Sequence, residues 1–325
     1  MMRHLRRLGD HFVISLPPDR KGYIGRQCPN RKCRKYFKIV NGTGLRGVTV
    51  CHCPYCGYRA NQGDFHTPDQ VEYVQSLAVR EARDAIVKDL KELEFEIKPE
   101  GLFGLGLSMK VEADPPPPIR HYSEKTLETR VTCGNCTLKY AIYGVFAYCP
   151  DCGLHNSLQI LDMNLEVVDK MLTAAVGLDR EVGAKLIENA LEDCVSAFDG
   201  YGRELCRINA KKATDPTKAK RISFQNLPGA RDKILTLFAF DLSKGVSSAE
   251  WNLAARGFQK RHLIAHKMGV VDADYIAKTG DATTSVGRKL VVSEAYVRAV
   301  SQAVRKLAQY LTDHIAGLGV QGPMK

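Results

Sequence analysis

The spacing of the cysteines restricts what this chain can fold into more than any other feature of the sequence. Nine of the eleven cysteines fall in two clusters, and each cluster contains two close pairs. The pairs are Cys28/Cys33 and Cys53/Cys56 in the first cluster, and Cys133/Cys136 and Cys149/Cys152 in the second. Four thiolates held on two tight turns form the tetrahedral donor set that structural zinc prefers. The sequence therefore predicts two small β zinc ribbons, each with one structural Zn²⁺.

Neither predicted zinc site has an open coordination position, because four thiolates fill the tetrahedron. We therefore expect no catalytic metal. The first cluster offers two extra candidate ligands, Cys51 and His52, and Cys51 is interpreted as a bystander that could substitute for a ligand. Cys194 and Cys206 lie on or near the apolar face of a predicted helix, and we expect them to be buried free thiols.

Positive charge is concentrated at the start of the chain. Residues 1–63 contain thirteen Lys and Arg against two Asp, a net charge of +11 that equals the charge of the whole chain. A basic module of this kind is the electrostatic footprint of a nucleic-acid contact, and the alternative is a solvated basic tail. The candidate contacts flank the first cysteine pair: Arg26, Arg31, Lys32, Arg34 and Lys35. The expected partner is RNA, with DNA as the alternative for this ribbon.

Two observations bear on the compartment. The basic N-terminal residues are not followed by an apolar signal region, and CxxC pairs with an odd cysteine count favour metal thiolates in a reducing environment. No run of 18 or more apolar residues predicts a membrane span. We therefore expect a cytoplasmic protein with no membrane contact.

The fold class expected from the pattern is multidomain, with two β zinc ribbons followed by an all-α helical bundle. Thr67 and Gln70 form a predicted capping box that begins a helix to about Pro99, and Pro115–Pro118 form a stiff segment. A hairpin is expected within Leu138–Tyr148, and a strand over Gly47–Cys51. The predicted domains are 1–66 (basic ribbon), 67–98 (helical spacer), 99–128 (Gly/Pro-rich linker), 129–160 (second ribbon) and 161–325 (helical domain), with the main boundary at 99–120.

One predicted helix of the last domain carries an arginine and two histidines. It begins after Ser247, whose capping-box partner is Glu250, and it ends at Gly269. Three interpretations compete for Arg261, His262 and His266. They are cations favoured by the helix macrodipole, a two-histidine metal site, or a centre for RNA cleavage without metal.

The chemistry separates the last two interpretations. His262 and His266 share the spacing of zinc protease ligands, but Leu263 stands where those enzymes place a glutamate, and no third ligand is evident. RNA supplies its own nucleophile, the 2′-hydroxyl, so a histidine acting as base or acid and an arginine on the phosphate oxygens are enough for cleavage. A two-fold dimer would bring two such sets of side chains together.

The helical domain, over about residues 161–316, resembles the HEPN domains, whose families carry an Arg-x4–6-His motif late in a core helix. Arg261-His262-Leu263-Ile264-Ala265-His266 matches the x4 form, and His262 is polar at the position after the arginine, where the family most often has asparagine. The resemblance implies a homodimeric, metal-independent endoribonuclease of bacterial defence or toxin systems. It also implies that Arg261 and His266 are the active pair and that His262 is an auxiliary residue. The acidic residue from an earlier helix would be Glu192, Asp193 or Asp199.

A non-enzymatic protein is the alternative function. In that case the zinc ribbons bind nucleic acid, and the helical domain serves only for dimerisation or recruitment of a partner.

Overall fold

The computed structural model describes residues 3–9, 13–97 and 107–319. The chain divides into two compact units, 1–154 and 155–325, which we call the ribbon unit and the helical unit. A small antiparallel β region thus precedes a mostly helical region, and this order confirms the coarse prediction. No helix in the described ranges combines the length and apolarity that a transmembrane segment requires.

In its described residues, the ribbon unit contains three antiparallel sheets and two α-helices. Its elements are α1 (Arg3–Arg7), β1 (Tyr23–Gln27), β2 (Tyr36–Val40), β3 (Val50–His52), β4 (Arg59–Asn61), α2 (Pro68–Lys91), β5 (Phe95–Ile97), β6 (Leu107–Met109), β7 (Thr129–Thr132) and β8 (Lys139–Ile142). The largest sheet has the order β1-β2-β8-β7, and β3-β4 and β5-β6 form two-stranded sheets. The turn between β1 and β2 contains Cys28 and Cys33, and the turn between β7 and β8 contains Cys133 and Cys136.

The two ribbons share this sheet, because β2 of the first pairs with β8 of the second. Lys38 lies opposite Ala141, and Ile39 lies opposite Tyr140. Lys38 lies five residues after Cys33, and Ala141 lies five residues after Cys136, so the two residues hold equivalent positions in their ribbons. The two hairpins therefore meet in an approximately two-fold arrangement at this pair.

The second cysteine pairs of the two ribbons are joined in the same reciprocal way. The His52 N–H donates to the Pro150 carbonyl at 2.8 Å, and the Tyr148 N–H donates to the Pro54 carbonyl at 2.8 Å. His52 and Tyr148 each precede the first cysteine of a pair, and Pro54 and Pro150 each follow it. These two bonds satisfy backbone groups of each ribbon with groups of the other.

The domain organisation differs from the one that the sequence suggested. Both ribbons lie in one unit, since β2–β8 pairing and the reciprocal bonds connect them, whereas the main boundary was expected at 99–120. Residues 99–106, which hold the glycines of the predicted linker, lie outside the described residues, as does the expected helix end at Pro99.

Two strand predictions also need correction. The hairpin expected within Leu138–Tyr148 is wrong: β8 ends at Ile142 and pairs with β7, so the cysteine turn itself connects the two strands. The strand expected over Gly47–Cys51 is Val50–His52, paired with β4. The capping box of α2 is confirmed, but the helix ends at Lys91 and β5 follows.

The helical unit is built from seven helices within the described residues. They are α3 (Ser157–Ala175), α4 (Arg180–Ile208), α5 (Pro216–Ala219), α6 (Leu227–Phe238), α7 (Ser248–Lys267), α8 (Ala273–Thr279) and α9 (Glu294–Gly317). Helix α3 packs along α4, and α9 contacts α3, α4 and α7. The core is aromatic at its centre, where Phe198 makes edge contacts with Phe224 and Phe258. Cys194 and Cys206 are fully buried free thiols, as expected.

Candidate functional site

The first cysteine cluster forms a compact group of four sulfur atoms. Cys28, Cys33, Cys53 and Cys56 place their Sγ atoms within 4.8 Å of one another. The Cys28–Cys56 distance is 3.7 Å and the Cys33–Cys53 distance is 3.8 Å. A zinc tetrahedron with Zn–S bonds of about 2.3 Å has sulfur atoms about 3.8 Å apart. The four thiols are therefore spaced as structural zinc requires.

The second cluster repeats this geometry. Cys133, Cys136, Cys149 and Cys152 form another group within 4.8 Å. The Sγ atoms of Cys133 and Cys152 are 3.7 Å apart, and those of Cys136 and Cys149 are 3.4 Å apart. Both tetra-cysteine groups are thus compatible with structural zinc.

The backbone of each cysteine turn is shaped for thiolates. The residue after the second cysteine of every pair has a positive φ: Arg34 (53°), Gly57 (68°), Thr137 (62°) and Gly153 (70°). The turns direct backbone amides at the sulfur atoms, as Asn30 does at Cys28 and Leu138 does at Cys136. Burial outweighs these amides at Cys28 and raises the pKa of its thiol to about 12. A bound cation would favour the deprotonated form of this donor.

Cys51 and His52 stand outside the four-sulfur group. The Cys51 side chain is buried, and its Sγ lies 3.7 Å from the His52 carbonyl oxygen. The His52 ring lies with Nδ1 3.3 Å from the Pro150 carbonyl oxygen. The interpretation of Cys51 as a bystander agrees with this geometry.

The candidate nucleic-acid contacts divide into two kinds. Four of them are exposed around the first cysteine turn: Arg31, Lys32, Arg34 and Lys35. Lys35 places its Nζ 5.0 Å from the centre of the Tyr55 ring. Arg26 is different, because it is only 6 % exposed and its Nη1 donates to the Gly25 carbonyl at 2.9 Å. It is not part of the exposed basic surface.

The helix that carries the arginine and the histidines begins as the sequence predicts. Ser247 and Glu250 form the expected capping box at the start of α7. At the other end, two successive residues have a positive φ: Met268 (55°), which is the C-cap, and the predicted Gly269 (75°). The amide of Gly269 donates to the Leu263 carbonyl at 3.0 Å and closes the helix.

His262 and His266 are both exposed near the end of α7. Their ring centres are 4.9 Å apart, as expected for side chains four residues apart on one helix face. Among the described residues, no third His, Cys, Asp or Glu completes a metal-ligand group with them. The arrangement gives two adjacent imidazoles that water and ligands can reach.

The Arg261 side chain projects from a different face of α7 than the two histidines. At 100° per residue, Arg261 and His266 project about 140° apart around α7. Arg261 is partly buried, and its Nε is buried without a hydrogen-bond partner in the described residues. Within one chain the structure therefore brings His262 and His266 together, but not Arg261 and His266.

The three acidic candidates on α4 have different surroundings. Asp199 is buried, and its Oδ1 accepts hydrogen bonds from the Phe224 N–H at 2.6 Å and the Ser223 hydroxyl at 3.1 Å. It thereby fixes the segment that precedes α6. Glu192 is half-buried and Asp193 is exposed. In the described part of the chain, none of the three pairs with the arginine or the histidines of the motif.

A charged cluster beside α7 was missed by the sequence interpretation. Asp281 is 2 % exposed and accepts hydrogen bonds from the Tyr275 hydroxyl at 2.6 Å and from Thr283. Burial alone would raise the pKa of Asp281, but these bonds outweigh it and hold the pKa at about 2. Arg256 approaches this carboxylate at 4.0 Å. The only sequence signal was the pair of cations, Arg256 and Lys260, one turn apart on α7.

Comparisons of the chain with protein-family models, with curated proteins and with solved structures found no significant match. Function is therefore inferred from the side chains and their geometry.

Proposed function

We propose that this chain is a metal-independent endoribonuclease with a HEPN-like helical unit, in which two copies together complete the active site. One observation carries the proposal: His262 and His266 are exposed and in contact at the end of α7. Arg261, which is adjacent in sequence, has an Nε without a hydrogen-bond partner in the described residues. Two imidazoles and a guanidinium are the groups that cleavage by the RNA 2′-hydroxyl needs.

The proposed reaction uses these groups in three roles. One imidazole accepts the proton of the 2′-hydroxyl as its oxygen attacks phosphorus. An imidazolium then donates a proton to the departing 5′-oxygen, which leaves a 2′,3′-cyclic phosphate and a free 5′-hydroxyl. His266 and Arg261 are the main pair, and His262 is auxiliary. The Arg261 guanidinium stabilises the charge that develops on the non-bridging phosphate oxygens.

The position of Arg261 supports a site shared between two copies. Since Arg261 and His266 project about 140° apart from one helix, a single copy does not direct both at one phosphate. A two-fold dimer in which two α7 helices face each other supplies the arginine and the histidines from different chains.

The ribbon unit has a supporting role in this proposal. The two zinc ions hold its sheet together, and the exposed cations around the first cysteine turn bind the phosphates of the RNA. An antiphage or growth-arrest role follows from the resemblance of the motif and belongs to the same proposal.

Cleavage of RNA in excess EDTA tests the proposal directly. Zinc-loaded protein is mixed briefly with total cellular RNA, so that the chelator does not extract the thiolate-bound metal. We expect cleavage to persist and to fall by about 10²-fold or more in His266→Ala, because an acid–base group is lost. His314→Ala, which removes another exposed histidine of the helical unit, is the matched control and should cleave like the wild type.

A requirement for added Mg²⁺, or full activity in His266→Ala, would contradict the proposal. The non-enzymatic alternative rests on the exposed cations around the first cysteine turn and assigns no chemistry to α7. It predicts that Lys32→Ala and Arg34→Ala weaken salt-dependent RNA binding while no variant of the motif changes any activity.

A further inference from the structure

The charged cluster beside α7 holds more positive than negative charge. Arg256 and Lys260 lie near a single carboxylate, Asp281, whose oxygens already accept bonds from Tyr275 and Thr283. The Arg256–Asp281 distance of 4.0 Å is too long for a hydrogen bond. The Nε of Arg256 is buried without a hydrogen-bond partner in the described residues. A guanidinium with uncommitted donors in such a place favours an anion.

Lys260 adds to the surplus of charge. It is 8 % exposed, and its Nζ lies 4.4 Å from the centre of the Tyr296 ring. Burial lowers the pKa of Lys260, and Arg256 lowers it further, while Asp281 acts in the opposite direction. The two cations thus repel each other and share one counter-charge, which a bound phosphate would supplement.

Arg256 opens onto a cleft between the start of α6, the middle of α7 and the end of α8. The cleft has a volume of about 410 Å³, which is within the range of small-ligand sites and suits one nucleotide. Its polar lining includes Asn226, Asn252, Gln259, Lys278 and Thr279. Lys278 is paired with Asp274, whereas the Nε of Arg256 has no hydrogen-bond partner in the described residues.

The cleft contains two side-chain amides that are available for hydrogen bonding to a ligand. In the described part of the chain, the side chains of Asn252 and Gln259 form no hydrogen bond. Each presents two N–H donors and one carbonyl acceptor, the combination that base edges require. Single-stranded RNA offers such edges unpaired.

Two residues of the cleft share one face of α7 with the two histidines. At 100° per residue, Asn252, Gln259, His262 and His266 fall within an arc of about 80° on the helix. Gln259 is one turn from His262, and His262 is one turn from His266. A chain that occupies the cleft and follows this face of α7 would reach the imidazoles.

We propose that this cleft binds one RNA nucleotide beside the bond that is cut, with Arg256 on its phosphate and with Asn252 and Gln259 on its base edge. The inference rests on the proposed ribonuclease function and adds to it a base preference at one position of the substrate. Arg256 is then a binding residue, separate from the acid–base pair.

Calorimetric titration with the four nucleoside 5′-monophosphates and with inorganic phosphate tests the cleft without cleavage. Wild type and His266→Ala should both bind at least one nucleotide tenfold or more tightly than inorganic phosphate. Arg256→Gln should weaken this binding about tenfold or more, and Gln259→Ala should reduce the differences among the four bases. Arg180→Gln, at an exposed arginine of α4, is the matched control and should bind like the wild type.

Arg256 is partly buried, so its replacement can change the fold as well as remove a phosphate contact. Gln259→Ala and Asn252→Ala therefore provide a second test, and Trp251 fluorescence checks the fold of every variant. Equal affinity for inorganic phosphate and all nucleotides would overturn the inference, as would unchanged binding in Arg256→Gln. If the protein cleaves RNA but these variants have no effect, the cleft is rejected and the nuclease function stands. If nucleotides bind as expected but no RNA is cut, the nuclease function is rejected instead.

Discussion

Cys51 and Cys53 are two residues apart on the same edge of the first ribbon, yet their sulfur atoms have different surroundings. Cys53 is fully buried within the four-sulfur group. Cys51 is also buried, but its sulfur faces the His52 carbonyl and packs in the hydrophobic cluster of the sheet. A cysteine count alone does not separate a ligand from a core thiol, whereas the pairing into turns does.

Substitution of these two cysteines should therefore have different effects on zinc content. We expect Cys51→Ala to retain two zinc ions per chain, since the four donors of the first site remain. Cys53→Ser should lose at least one zinc, because one tetrahedral position loses its thiolate. Elemental analysis of the purified variants measures both, and loss of zinc from Cys51→Ala would show that Cys51 is a ligand.

The start of α7 is defined by a local sequence signal. The Ser247 side chain accepts from the Glu250 N–H, and the Glu250 carboxylate accepts from the Ser247 N–H at 2.9 Å. Glu250 is also bound to Lys306 of α9, so the same residue connects the cap to the packing of the helical unit.

Removal of this cap should destabilise the helical unit measurably. Ser247→Ala should lower its free energy of unfolding by about 1 kcal/mol, the usual effect of losing an N-cap hydroxyl. Trp251 is the only tryptophan of the chain and lies on α7, so its fluorescence during denaturation reports this unit. Ser248→Ala is the control, and an equal loss in that variant would mean that the cap does not contribute.

The elements that the sequence predicted correctly depend on neighbouring residues. The capping boxes at Thr67 and Ser247 are four-residue patterns, and the cysteine turns span four to six residues. Pairing of Lys38 with Ala141 has no such pattern, because about a hundred residues separate strands only four or five residues long. The Arg256–Asp281 cluster was missed for the same reason: its members come from different segments and meet only in the folded unit.

The two units of the molecule have cores of different size and composition. The main core of the ribbon unit contains cysteines of both four-sulfur groups among its few large side chains. The helical unit has a much larger core of aliphatic and aromatic residues. A small sheet of short strands is marginal without an additional constraint, so zinc bound at the two four-sulfur groups would contribute to its folding free energy.

Removal of zinc should therefore unfold one unit and spare the other. We expect a thiol-directed mercurial with a strong chelator to abolish the β signal in circular dichroism. Trp251 fluorescence, which reports the helical unit, should remain native under the same conditions, and added Zn²⁺ after restoration of the thiols should recover the β signal. A simultaneous change of both signals would contradict independent stabilisation of the units.

The reciprocal hydrogen bonds between the ribbons have a consequence for biosynthesis. The first ribbon is finished only when Pro150 has emerged from the ribosome, 98 residues after His52. At a translation rate of about 5–20 residues per second, this interval lasts about 5–20 s. During that time the thiols of Cys28, Cys33, Cys53 and Cys56 stand on two nascent hairpins, β1-β2 and β3-β4, before the second ribbon has been made. Zinc that binds in this interval would protect them from oxidation until the second ribbon arrives.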